Sequence, residues 1–241
     1  MMRFNGELAK QSTLVIKIIE ERKLKIATWN ANGLLGKATV SWRSTPRTTY
    51  HNIKIEGYNI LRKPRDTNTT GGGVAIILKI DIPFTIVRLP ATVFECTAIK
   101  LAHNDIRIIS IYNRPMNKFR QNDLDLILNN SNNVIIARNI NARHIDWRNS
   151  YNTNGITLNN YIDSHAVTIN HPTTHTHFPS NSNDPSTIDY FLLKNITNYT
   201  QAITMPALKS NHNPVKFSID DIPRENPLLL TNTLPLSDRR F

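Results

Sequence analysis

Cysteine occurs once in the 241 residues, as Cys96. A single thiol cannot close an intrachain disulfide or build a cysteine-based zinc site, so a disulfide-stapled scaffold is excluded and a reducing compartment is expected. Cys96 sits in an apolar stretch and reads as a small core residue. Glycine is scarce for an α/β protein, with 8 positions, three of them consecutive at Gly71-Gly72-Gly73. The triplet invites a phosphate-loop reading. The apolar run 74–78 follows the glycines, however, and no Gly-Lys-Ser/Thr is present, so a loop entering a buried strand is expected. No apolar run approaches the ~18–20 residues of a membrane helix. The N-terminal apolar segment is too short, and its flank too polar, for a secretory signal. The chain is therefore expected to be soluble and intracellular, with no membrane partner. Acid is also in deficit: 18 Asp+Glu against 29 Lys+Arg, a formal charge of +11. That surplus favours a polyanionic partner, most simply nucleic acid, although the cations (Arg43, Lys63, Arg65, Arg143 and others) are spread along the chain.

What is present is a succession of short β-branched runs, and 39% hydrophobic residues, enough to bury a core. Strands are expected at 24–30, 53–58, 74–78, 94–101, 106–112, 134–137, 167–169, 188–193, 201–204 and 214–219. Runs 94–101 and 106–112 would form an antiparallel hairpin across His103-Asn104-Asp105. Helices are expected at 123–130 and 155–165. Residues 1–22 read as a loosely helical extension outside a single domain at 23–220, and the proline-bearing tail 221–241 as loose. Residues 34–50, with Pro46 inside and no helical period, should be irregular and poorly packed. Many strands with few helices point to an α/β sandwich of two packed, largely antiparallel sheets with flanking helices.

Polar residues stand at the ends of several of these strands: Asn30, Tyr112, Asn139 and Asn141, Asp189, and Asn211 and His212. Each alone has an ordinary structural explanation, as a turn residue, a strand aromatic or an ion-pair partner. Converging at one rim of a sandwich, they would form a site.

Six stretches in order carry a resemblance. They are Thr28-Trp29-Asn30-Ala31-Asn32-Gly33-Leu34, Gly71-Gly72-Gly73-Val74-Ala75-Ile76, Ile111-Tyr112-Asn113-Arg114-Pro115, Asn139-Ile140-Asn141-Ala142-Arg143-His144, Ser186-Thr187-Ile188-Asp189-Tyr190 and Ser210-Asn211-His212-Asn213-Pro214-Val215. Together the chain from about residue 24 to 219 resembles the exonuclease–endonuclease–phosphatase family, and more narrowly the endonuclease domain of non-LTR retrotransposon polyproteins. The resemblance implies a four-layer α/β sandwich and magnesium-dependent nicking of DNA that primes reverse transcription. It also implies a nuclear location if the domain functions. By motif match Asn30 is a metal-shell position, Tyr112 a phosphate-side phenol, Asn141 a phosphate-contacting amide, Asp189 an orienting carboxylate and His212 a phosphate-facing imidazole.

Three departures bear on activity. Where the family has Gly-Asp-x-Asn, this chain has Arg138-Asn139-Ile140-Asn141; where it has Ser-Asp-His, this chain has Ser210-Asn211-His212. The family's metal-holding Glu would fall near Ser44-Thr45-Pro46, where no Glu stands, and 33–44 is too short for the family's first helix and second strand. An amide offers a metal only a neutral carbonyl and cannot act as a general base. Magnesium binding is therefore doubtful, no metal ligand is assigned, and catalysis is expected to be impaired, as in a decayed element copy. Should another carboxylate substitute, Glu56 and Asp66 are the first to test. A rival reading keeps the fold as a non-catalytic nucleic-acid-binding module, holding DNA weakly and electrostatically. A second rival takes His171, His175 and His177 as a metal set, with His175 and His177 on one face of a strand. No reverse-transcriptase segment is expected in this chain.

Overall fold

In the computed structural model the residues described are 14–20, 23–30, 55–65, 73–102, 104–129, 131–180, 184–205 and 210–220. The strands are Leu14–Glu20 (β1), Lys23–Trp29 (β2), Tyr58–Pro64 (β3), Gly73–Lys79 (β4), Phe84–Val87 (β5), Glu95–Leu101 (β6), Arg107–Tyr112 (β7), Val134–Asn139 (β8), Val167–Asn170 (β9), Asp189–Lys194 (β10), Ile203–Thr204 (β11) and Val215–Asp220 (β12). Helix α1 spans Gln121–Leu128 and α2 spans Thr153–Ser164. One sheet has the order β11-β12-β2-β1-β4-β3 and the other β5-β6-β7-β8-β10-β9. Pairing is antiparallel except for β1·β4 and β7·β8, the latter joined through the crossover that holds α1.

The period-two alternation of strands sorts the side chains into two cores. Leu24, Ile26, Ile76, Leu78, Ile99, Ile108, Ile135, Ala137, Phe191 and Phe217 pack between the sheets. Ile109, Ile111, Val134, Ile136 and Leu192 face the opposite way, against Leu124, Ile127 and Leu128 of α1 and Leu158 and Tyr161 of α2. Strand β8 is buried on both faces, and for that reason its sequence is an unbroken apolar run and not an alternation. Each such side chain removed from water contributes about 1.5–3 kcal/mol, so these two layers dominate the fold's stability. Among the described residues the layers are helices, sheet, sheet. The α/β sandwich of two largely antiparallel sheets expected from the sequence is the architecture found.

Several elements differ from expectation. The stretch 14–20 was expected to be loosely helical and outside the domain; it is strand β1, lying between β2 and β4. Its sequence, LVIKIIE, is dominated by β-branched residues, which favour an extended backbone. Strand β3 covers Tyr58–Pro64, whereas 53–58 was expected; Ile55 and Tyr58 instead form an isolated bridge at a turn. Arg62, Lys63 and Pro64 hide this strand from an apolar pattern. Strand β5 had no alternation to announce it. His177 makes only isolated bridges, to Ser186 and His212, so no regular strand carries His175 and His177. Residues 34–50 and the tail lie outside the described residues. Gly73 has φ +121°, and a Cβ there would run into the Lys63 carbonyl and come within 2.9 Å of Pro64 Cα. The end of the glycine triplet therefore serves the entry into β4 beside β3.

Candidate functional site

Register places four polar side chains in one row. The Cα partners are Glu95↔Tyr112, Tyr112↔Asn139 and Asn139↔Asp189. Ile99, Ile108, Ala137 and Phe191 face the inter-sheet core. Counting back or forward by twos from them puts Glu95, Tyr112, Asn139 and Asp189 on that same face, at the rim. Three strand spacings of about 4.8 Å make the row roughly 14 Å long. The facing sheet contributes Asn30, in step with inward-facing Leu24 and Ile26 of β2.

At one end of the row the imidazole of His212 is held from both sides. Its Nδ1 is 2.7 Å from Asp189 Oδ2, and its Nε2 is 3.3 Å from Asn30 Nδ2. Asp189 can only accept, so Nδ1 carries the proton and Nε2 accepts from the Asn30 amide. All three residues are buried, Asp189 fully. The loop bearing His212 is fastened to the end of β2. Trp29 Nε1 donates to the His212 carbonyl (3.1 Å), Ser210 Oγ to the Asn30 carbonyl (2.9 Å), and His212 N to Ser210 Oγ (3.1 Å). Thr-Trp-Asn and Ser-Asn-His, 180 residues apart in sequence, are thus two halves of one hydrogen-bonded unit.

The neighbouring loop is set by asparagine. Asn139 Oδ1 accepts from Asn141 N at 2.9 Å, an Asx-type turn that places Asn141 at φ +48°. Asn152, the N-cap of α2, accepts from Gly155 N (2.7 Å) and Arg143 N (2.9 Å) while its Nδ2 donates to the Asn141 carbonyl (2.8 Å). Trp147 Nε1 and Tyr190 Oη both donate to the Ala142 carbonyl. The side chain of Asn141 donates to the Asn113 carbonyl and borders a cavity of about 160 Å³ with Arg143 and His177.

His177, which the sequence offers only in a rival reading as one of a metal set, is the neighbour here. Its ring lies over that of His212, centroids 4.3 Å apart, and its Nε2 is 3.3 Å from Asn211 Nδ2. His175 is elsewhere, near Thr187, and His171 lies against Pro172. Among the described residues no three His, Cys, Asp or Glu side chains are grouped to hold a metal. Burial, and next the adjacent His212, push the His177 imidazole down to about 4. His177 is therefore neutral at pH 7. Its folded-state value lies below the unfolded value near 6.5, so the unfolded chain takes up the proton first. Stability should be intact above about pH 6.5 and fall as pH drops toward 4. Thermal melts across that window should show a loss that His177→Gln reduces; an unchanged loss in the variant would mean that other groups cause it.

Glu95 and Tyr112 lie at the other end of the row. Arg65 sits over the Tyr112 ring at 5.5 Å, and Glu95 Oε1 accepts from Arg65 Nε (2.7 Å) and Arg114 Nε (3.0 Å). Glu95, an acidic residue of the rim row, went unnoticed in the sequence because it opens an ordinary alternating strand. Glu56 is exposed in the turn before β3, at the end of that strand remote from Pro64 and Gly73. Asp66 and Ser44-Thr45-Pro46 lie outside the described residues. Among the described residues the rim donors do not fit magnesium, which takes hard, mostly anionic oxygens. Positions 139 and 211 are amides, the Asp189 carboxylate is bound to His212, and Glu95 is paired with two arginines.

Residues 106–216 match the family described as Endonuclease-reverse transcriptase. The chain is similar to the probable RNA-directed DNA polymerase from transposon BS of Drosophila melanogaster, 26% identical over 238 residues, covering 85% of this chain. It spans 25%, about a quarter, of that relative's length. Solved structures it resembles include the 3′ phosphatase NExo from Neisseria bound to product DNA hairpin (12% identity, 68% of this chain and 80% of that one, TM-score 0.46). Another is the human Nocturnin catalytic domain with bound sulfate anion (14%, 67% and 71%, TM-score 0.44). The ordered motifs, the family match over residues 106–216 and the transposon relative together support a retrotransposon endonuclease-like domain of the exonuclease–endonuclease–phosphatase type.

Proposed function

We infer that this domain descends from a magnesium-dependent DNA-nicking enzyme of target-primed reverse transcription, that it is catalytically impaired, and that it retains affinity for DNA. The observation that carries this reading is the state of positions 139 and 211. The Asn30–His212–Asp189 chain is intact, yet the two positions beside it bear amides already engaged in neutral hydrogen bonds, Asn139 with Asn141 N and Asn211 beside His177. Loss of a general base costs roughly 10²–10⁴ in rate before any loss of metal is counted. His212, with its Nδ1 proton held by Asp189, remains suited to face a phosphate, and Asn141 and Tyr112 remain polar groups at the same rim. The charge of +11 supports DNA binding through phosphate contacts, which need no carboxylate. The same observation favours a second reading, a binding module kept for its basic surface. Either way the site of action would be the nucleus.

The test is nicking of supercoiled plasmid with magnesium or manganese, alongside DNA binding over a salt series. No nicking is expected, with binding that weakens steeply as salt rises. Asn139→Asp with Asn211→Asp should improve metal binding without restoring full activity, because the ligand expected near Ser44 is still missing. Nicking by the unmodified chain that chelator and His212→Ala both abolish would overturn the impaired reading.

A further inference from the structure

The Arg65–Glu95–Arg114 cluster lies outside the set of positions the motifs assign. It forms part of a groove of about 370 Å³ at the Tyr112 end of the rim row. Lys63 and Arg65 come from the end of β3 in one sheet; Glu95 and Arg114 come from β6 and the segment after β7 in the other. Both arginines use Nε to bind the same oxygen, Glu95 Oε1. Among the described residues their NH₂ edges make no hydrogen bond, and Glu95 Oε2 is buried without a partner. A carboxylate between two guanidiniums leaves the cluster with a net positive charge, and Lys63 adds to it. The opposite wall is apolar, formed by Pro90, Val93 and Phe94.

We propose that this groove binds one nucleotide of a DNA strand lying across the rim, its phosphate between Arg65 and Arg114 and its sugar or base on the Pro90–Val93–Phe94 wall. Guanidinium forks match phosphate oxygens in pairs, and a few hundred cubic ångströms of partly apolar volume suit a ligand of this size. Glu95 acts as an internal stand-in for the phosphate. It holds the two arginines together when no strand is bound and competes with the strand when one arrives. Because Arg65 also covers the Tyr112 ring, the groove is continuous with the row that leads to Asn139 and His212. This inference rests on the reading that the domain binds DNA.

The experiment is a fluorescence-anisotropy titration of the full chain with a labelled single-stranded oligodeoxynucleotide at several salt concentrations. Arg65→Gln and Arg114→Gln should each weaken binding several-fold and reduce the slope of log affinity against log salt by about 0.7. Lys79→Gln and Lys216→Gln, at the far end of β4 and on the outer side of β12, should have smaller effects. Glu95→Gln should tighten binding several-fold, since it removes the competing charge and keeps the shape. A merely structural Glu95 would give the opposite sign. Should Arg65→Gln fail to fold, Arg114→Gln and Glu95→Gln decide the matter, Arg114 being 42% exposed. Folded arginine variants that bind no worse than the lysine controls, or a Glu95→Gln chain that binds less tightly, overturn the groove and leave DNA binding standing. Absence of any binding by the unmodified chain overturns both.

Discussion

A chain beginning at residue 23 should fail to fold cooperatively, although nothing in the motif-bearing region is touched. Strand β1 is registered along its whole length with β2, from Leu14↔Trp29 to Glu20↔Lys23, and from Leu14↔Ala75 to Lys17↔Leu78 with β4. Without it the sheet divides into β11-β12-β2 and β4-β3, and two interior strands acquire open edges. Each backbone hydrogen bond contributes about 0.5–1.5 kcal/mol net. A strand paired on both sides therefore carries a sum comparable to the ~5–15 kcal/mol that holds a domain together. Open, apolar edges also invite association. The expected result is loss of a sharp thermal transition and aggregation of the truncated chain; a peptide of residues 10–22 supplied in excess should restore part of the transition. A truncated chain melting at the temperature of the full one would show that the sheet closes without β1.

Reading 14–20 as a loose helix had a definite cause. Lys17 and Glu20 break the apolar run at a spacing compatible with a helix, and nothing local says that the interior of a sheet is waiting for this segment. The resemblance pointed to a shortened second strand, and the consequence for the sheet was not readable: β1 lies between β2 and β4, antiparallel to the former. Other parts were legible because their physics is local. The ends of β2, β7, β8 and β10 were found from apolar runs stopping at polar residues, and a two-residue period then fixes which face each terminal side chain takes. The order of strands is a long-range property. The expected hairpin already pairs Glu95 with Tyr112, but only the long-range arrangement puts Tyr112 in register with Asn139, and Arg65 of the other sheet against Glu95. His177 was hidden for the same reason, being carried by an irregular segment held between Ser186 and the Asn211-His212 loop.

His212→Ala should destabilise the fold by about 3–5 kcal/mol, the cost of leaving a buried charge without its partner. The Asp189 carboxylate is fully buried and lies 2.7 Å from the imidazole. Asn30 and Ser210 share the unit through Nε2 and the loop backbone, so the variant also slackens the joint between β2 and the His212 loop. Asp189→Asn should cost less, because the neutral amide keeps the volume and removes the charge that needs solvating. The double variant should therefore be more stable than His212→Ala alone, a coupling that two independent sites would not show. Urea melts of the four proteins measure it. Equal and additive losses would place the worth of this pair in packing and not in charge. The sign matters for the family comparison as well. A His–Asp pair that stabilises the fold this strongly can persist in a chain with no hydrolytic activity, whereas carboxylates at 139 and 211 would make no such contribution. Asn139 supplies the turn acceptor for Asn141 N as well as an aspartate would, and a carboxylate at 211 would face His177, which burial keeps neutral. Drift away from cutting would then erase positions 139 and 211 first and leave Asp189 and His212 in place.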